Sequence, residues 1–190
     1  WDFINIPFLG DWTVGWLYYL EKAGIHVASR ACWNVKPQGV FAKSWSDCWA
    51  GLNGLLDKDN KAPQHTYWVH RAYADMSKEE RIATETTMTH AVALASKNDT
   101  TREMHLLAGR YEWRGTKKAP AIAGAITIRD YPYTAQKVTV TSKRIPNENI
   151  PGTLPEPTPT TITLPVVNKT ITIPLESFQD GNAYSIIISQ

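Results

Sequence analysis

Cysteine is nearly absent from this chain: Cys32 and Cys48 are the only two in 190 residues. That is too few for the disulfide framework of a small secreted scaffold, and the pair lacks the C-x-x-C spacing of a redox or zinc site. The histidines fare no better as ligands, because His65 and His70 miss the i, i+4 spacing and His26, His90 and His105 have no ligand-spaced partner. No metal is expected. Glycine-rich phosphate loops and serine nucleophile elbows are also missing, and neither cysteine combines a helix start with a histidine, so no cofactor or reactive thiolate is expected. Charge of one sign is lacking too. The 20 basic and 18 acidic residues are interspersed and leave a net charge of +2, which argues against nucleic acid and anionic membrane as partners. The longest apolar stretches, Ile4 to Gly10 and Trp16 to Leu20, are far short of a membrane span.

What the chain does have is tryptophan, crowded at one end. Of its eight tryptophans, all but Trp113 lie at or before Trp68. With 43% hydrophobic residues the composition is globular. The opening residues, Trp1 to Asn5, carry no initiator Met and no secretory n-region, so any export signal is expected to have been removed or to lie upstream. Two sequons, Asn98-Asp99-Thr100 and Asn168-Lys169-Thr170, fall at expected turns, where glycans are carried in secreted proteins. Cys32 and Cys48 either form a disulfide, worth about 3 kcal/mol by loop entropy, or are two buried thiols. Secretion is the expected localisation.

Two regimes of periodicity divide the chain. Asp11 to Leu20 has helical spacing, with Asp11 as candidate cap and Gly24 as terminator. Ile25 to Trp33 is expected as a short buried strand, Gly51 to Leu56 as another, and Gln64 to Met76 as a second helix opened by Pro63. Tyr67, Trp68, Arg71 and Ala72 share one face of that helix. From Arg81 the period changes to two. Ala91–Ala95, Met104–Ala108, Ile122–Ile128, Val138–Val140, Ile162–Leu164, Ile171–Ile173 and Tyr184–Ile188 are strand candidates separated by turn residues, as in an antiparallel sandwich. The proline-rich stretch from Pro146 to Pro159 is a stiff extended connection. The expected organisation is residues 1–77 as an α/β segment and 78–190 as a β domain. Two β/α units cannot bury both faces of a parallel sheet by themselves, so the first segment is expected to work with polypeptide outside this sequence.

Cys32-Trp33-Asn34 closes an expected strand, Gly54-Leu55-Leu56-Asp57 follows, and Lys61-Ala62-Pro63-Gln64-His65-Thr66-Tyr67 opens an expected helix. In that order these phrases resemble the end of the barrel of a clan A glycoside hydrolase of family 39 and its relatives. Leu106-Leu107-Ala108-Gly109-Arg110-Tyr111 and Ser177-Phe178-Gln179-Asp180-Gly181-Asn182-Ala183-Tyr184 are similar to the β-sandwich that follows such barrels. The resemblance implies a fold class of α/β plus β: terminal β/α units of a (β/α)8 barrel, then an antiparallel β-sandwich. It also implies carbohydrate as partner and retaining hydrolysis by two glutamates about 5–5.5 Å apart. Both would lie upstream, because Trp1-Asp2-Phe3 looks like the sequence just after the seventh-strand nucleophile. The missing N-terminal part of the barrel, as a separate or preceding chain, is then the second expected partner.

The chain's own acids make a poor substitute. Asp11 suits a cap, Glu21 an exposed helix position, and Asp57 and Asp59 turns. Asp2 and Asp47 remain, each either near a barrel mouth or a solvated surface acid. The resemblance places Trp33 as the aromatic floor of the sugar site, against a plain core role, with Asn34 a donor to a sugar hydroxyl or a loop residue. Trp45 and Trp49 either wall distal subsites or pack their loop. The expected substrate-binding set is Trp33, Asn34, Asp2 and Trp45. A second reading is a non-catalytic carbohydrate-binding or structural glycoprotein, and a third is assembly through an open strand edge.

Overall fold

The computed structural model describes residues 10–25, 27–28, 55–56, 61–111, 120–146 and 153–190. Helix α1 (Gly10–Lys22) starts just ahead of the cap expected at Asp11. It ends as the sequence suggests. Gly24 adopts φ +68°, the Ile25 N–H reaches the Leu20 carbonyl at 3.0 Å and the Gly24 N–H reaches that of Glu21 at 2.9 Å, a Schellman closure that glycine accepts without a Cβ clash. Helix α2 (His65–Asp75) follows Pro63 and Gln64. Gln64 does not cap with its side chain but spends its amide on the Leu56 carbonyl at 2.6 Å.

Among the described residues eight strands follow: β1 (Glu80–Ile82), β2 (Ala91–Asn98), β3 (Glu103–Arg110), β4 (Ile122–Ile128), β5 (Lys137–Ile145), β6 (Pro159–Pro165), β7 (Ile171–Phe178) and β8 (Ala183–Ser189). Every pairing among them is antiparallel. One sheet runs β1-β2-β3-β8-β5-β6 and β4 pairs with β7 in a second. The C-terminal strand thus sits mid-sheet, between β3 and β5. Among the described residues the regular structure is therefore mostly antiparallel sheet with few helices.

Apolar residues cover both sides of the large sheet. On one side Met104, Leu106, Val138, Val140, Ile186 and Ile188 meet Ile128, Ile171 and Ile173 of the β4–β7 pair. On the other, Val14 and Leu17 of α1 and Val69 of α2 meet Val92, Leu94, Leu107, Ile145 and Ala183. β2 and β3 are consequently buried on both faces, and the simple alternation expected for them fails. The helices are therefore continuous with the sheet's core, whatever else they touch.

Polar clamps reinforce this join. Glu21 of α1 accepts from the Tyr73 hydroxyl of α2 at 2.7 Å and from Arg81 of β1 at 2.8 and 3.1 Å. Arg81 also donates to the Met76 carbonyl and lies over the Tyr73 ring, 5.1 Å from its centroid. Behind α2, Glu79 is only 4% exposed in its side chain. Its carboxylate accepts from Ser96 Oγ at 2.5 Å and Asn98 Nδ2 at 3.4 Å and stands 3.0 Å from His105 Nδ1. Ser96 and His105 face each other across the β2–β3 register. At the far end of β3, the buried Arg110 donates to the carbonyls of Pro120 and Phe178 at 2.8 and 2.9 Å, tying the second sheet to the first.

The short buried strand expected from Ile25 needs correction over its described residues. Ile25, Val27 and Ala28 carry no strand pairing, and Val27 is 86% exposed. A parallel strand forms only with a neighbour on its edge, and no described residue pairs with these. Serine 29 to Trp33 and most of the second expected strand lie outside the described residues, although Leu56 bridges Pro63.

Candidate functional site

The residues expected to bind substrate, Asp2, Trp33, Asn34 and Trp45, lie outside the described residues, and so do Cys32, Cys48, Asp47 and Trp49. The two sequons are described, and they differ. Asn98 closes β2 with its amide engaged: Oδ1 accepts from the N–H groups of Thr100 and Thr101 at 3.0 and 3.2 Å, while Nδ2 faces the nearly buried Glu79. Asn168 sits exposed on a two-residue hairpin turn with Lys169, both left-handed at φ 50° and 57°, closed by reciprocal bonds between Val167 and Thr170. That is the type I′ geometry, which asparagine tolerates.

The described carboxylates are mostly committed to partners. Glu21 holds Tyr73 and Arg81, Asp75 pairs with Arg71, Glu80 and Asp99 share Lys97, and Glu156 pairs with Lys143. The Lys97 ammonium, then the Tyr133 hydroxyl, holds Asp99 below the ordinary carboxylate range, and Lys143 does the same to Glu156. A general acid needs a shift in the opposite sense. Among the described residues no three His, Cys, Asp or Glu side chains gather where they could hold a metal ion. No helix among them is long and apolar enough to cross a membrane.

Two surfaces stand out. The first is the side of α1 turned away from the sheet. Trp12, Trp16 and Tyr19 recur there at i, i+4, i+7, and Trp16 and Tyr19 are 39% and 53% exposed. Trp12 meets Tyr111 at 5.6 Å, Trp16 meets His70 at 6.5 Å, and Tyr111 donates its hydroxyl to that of Tyr19 at 3.0 Å. Burial, then the Tyr19 hydroxyl, raises the Tyr111 phenol. Gly15 permits this approach, since a Cβ there would stand 3.0 Å from the Tyr111 ring.

The second surface is a cleft of about 370 Å³ between α2, the outer face of β5 and β8, and the segment at Glu156 and Pro157. Tyr67, Trp68, Arg71 and Asp75 line it from the helix, and Thr141, Lys143, Ser185 and Ile187 from the sheet. Trp68 is fixed by its Nε1–H bond to the Leu154 carbonyl at 2.8 Å and packs edge-on against Tyr67 with centroids 5.1 Å apart. Arg71 lies 3.4 Å from Asp75, and Lys143 is held by Glu156. The shared helix face was legible in the spacing of Tyr67 and Arg71. The sheet half was not, because it comes from strands far apart in sequence.

No protein-family profile matches the chain, and no curated protein matches it. Solved structures do. A glucosidase from Croceicoccus marinus is similar over 100% of this chain and 42% of its own, with a TM-score of 0.63 and 14% identity. N2152 from Neocallimastix frontalis covers 80% of this chain and 35% of its own at a TM-score of 0.62 and 13% identity. A GH30 endoxylanase from Clostridium papyrosolvens covers 95% of this chain and 46% of its own at 0.53 and 12% identity. The chain thus spans less than half the length of each of these structures. Its fold is one found in part of known glycoside hydrolases.

Proposed function

We propose that this chain is the C-terminal portion of a secreted retaining glycoside hydrolase acting on O-glycosidic bonds of oligo- or polysaccharides. Its helices are the last α elements of a (β/α)8 barrel, its sheets are the accessory β-sandwich, and the catalytic glutamates lie on polypeptide that precedes Trp1. The observation that carries this reading is the likeness of the whole chain to 42% of a glucosidase. The aromatic stripe of α1 and the exposed Val27 support it, since apolar surface of this kind is normally covered in an assembled domain. Trp33 is the sugar floor in this account, with Asn34, Asp2 and Trp45 beside it. Cys32 and Cys48 form a disulfide, and Asn168 carries a glycan.

Intact mass and N-terminal sequencing of the natural protein, followed by assay of the chain with its preceding sequence restored, test the proposal. The expected result is a glutamate directly before Trp1 and hydrolysis of a glycoside with retained anomeric configuration. Another residue at that place, with saccharide binding but no hydrolysis by the extended protein, favours the alternative of a non-catalytic carbohydrate-binding or structural glycoprotein.

A further inference from the structure

The cleft beside α2 is lined by none of the residues of the aromatic stripe of α1 and by none of those given to the sugar site above. Its volume of about 370 Å³ sits at the small end of the roughly 300–1,000 Å³ typical of small-molecule sites. Its charges cancel. Arg71 is matched by Asp75 and Lys143 by Glu156, and Lys143 holds Glu156 ionised by lowering its pKa. A phosphate or carboxylate ligand would have to displace a carboxylate from one of these cations, while a cationic ligand would have to displace a cation. A neutral ligand displaces neither, and the paired groups keep lone pairs and N–H donors to offer it.

The rest of the lining narrows the chemistry further. Thr141, whose hydroxyl also meets that of Thr161 at 3.3 Å, and Ser185 present hydroxyls from adjacent strands, and Ile187, Ala72 and Pro157 supply apolar surface. Tyr67 and Trp68 stand nearly perpendicular, at 89°, with Trp68 locked by Leu154. Aromatic and aliphatic surface interleaved with hydroxyls and charge-paired hydrogen-bonding groups matches a molecule with C–H faces and a hydroxyl rim. We propose that this cleft is a non-catalytic binding site for a neutral saccharide of one or two sugar units. It deepens the proposed function in taking its ligand class from the same chemistry, but needs neither the barrel nor its glutamates. Its proposed role is binding: Lys143 lowers the Glu156 pKa, the opposite of what a general acid needs.

The test is an amide-resolved NMR titration of the 190-residue chain with xylose, glucose, galactose, arabinose, xylobiose, cellobiose and lactose, and with inorganic phosphate as the charged competitor. The expected result is saturable shifts for at least one sugar, confined to Tyr67, Trp68, Thr141, Ser185, Ile187 and their neighbours, with none for phosphate. Tyr67→Ala should weaken that affinity about tenfold or more. The paired surface changes Thr141→Val and Ser185→Ala, which leave α2 untouched, should weaken it several-fold with the spectrum otherwise unchanged. No saturable shift with any sugar, shifts indifferent to both variants, or a preference for phosphate overturns the inference. The two proposals fail separately: hydrolysis by the extended protein with an unoccupied cleft sinks only this one, and sugar in the cleft without hydrolysis sinks only the other.

Discussion

Replacing Glu79 with alanine tests whether the helices are bolted to the sheet as the structure describes. The carboxylate is 4% exposed and stands between the turn after α2 and the β2–β3 pair. Without it, Ser96 Oγ, in a residue with 0% exposure, loses its 2.5 Å acceptor, and His105 Nδ1 loses a group 3.0 Å away. Each buried polar group left unpaired costs about 1–3 kcal/mol. Part is offset because the mutant no longer buries a carboxylate, so the net loss should be about 2–4 kcal/mol. For a chain of this size about 2–4 °C accompanies each kcal/mol, and the thermal midpoint should fall by about 5–15 °C in a circular-dichroism melt. A cycle with Ser96→Ala should return a coupling of about 1–3 kcal/mol. A midpoint within about 1 °C of the parent, or additive single and double variants, would refute the reasoning.

Further expectations concern other elements. Lys169→Gly should stabilise the chain by about 0.5–1 kcal/mol in urea titrations, because Lys169 holds φ +57° at a cost glycine does not bear. Gly15→Ala sets a helix-propensity gain of about 1 kcal/mol against displacement of the Tyr111 ring, which its Cβ would meet at 3.0 Å, so stability in the same assay should stay within about 1 kcal/mol of the parent. Tyr133 is pushed up to about 12, first by burial and then by Asp99, from an ordinary 10.0. A folded-state pKa above the unfolded one gives stability that is complete below about pH 10 and lost as pH rises toward 12. Tyr133→Phe should flatten that part of the stability–pH curve, followed by chemical denaturation. Expressed in a glycosylating host, the chain should carry its glycan on Asn168, with Asn98, whose Nδ2 faces Glu79, unoccupied in peptide mass mapping.

Much of the fold was legible because local signals set it. Gly24 marked the end of α1, Pro63 the start of α2, and the alternation around Val138 to Val140 and Ile171 to Ile173 marked strands whose apolar side faces one core. β1 was not, since its three residues pair only through the register Glu80 with Lys97 to Ile82 with Ala95. The mid-sheet position of β8 was equally hidden, as it depends on partners far away in the chain. The expected boundary between residues 77 and 78 passes through a shared core, in which Val69 and Met76 pack with Leu94 and Leu107. The apolar run Ala91 to Ala95 carried a trace of that cover on both faces. The expected sugar floor at Trp33 rests on resemblance and lies outside the described residues.

The central claim is that this polypeptide holds a glycosidase's closing elements but not its reactive acids. Incubating the pure 190-residue chain with aryl glycosides and xylo- and cello-oligosaccharides tests it most directly. The account predicts no turnover above that of buffer. Clear hydrolysis by this chain alone, abolished by Asp2→Asn or Asp47→Asn, would contradict it.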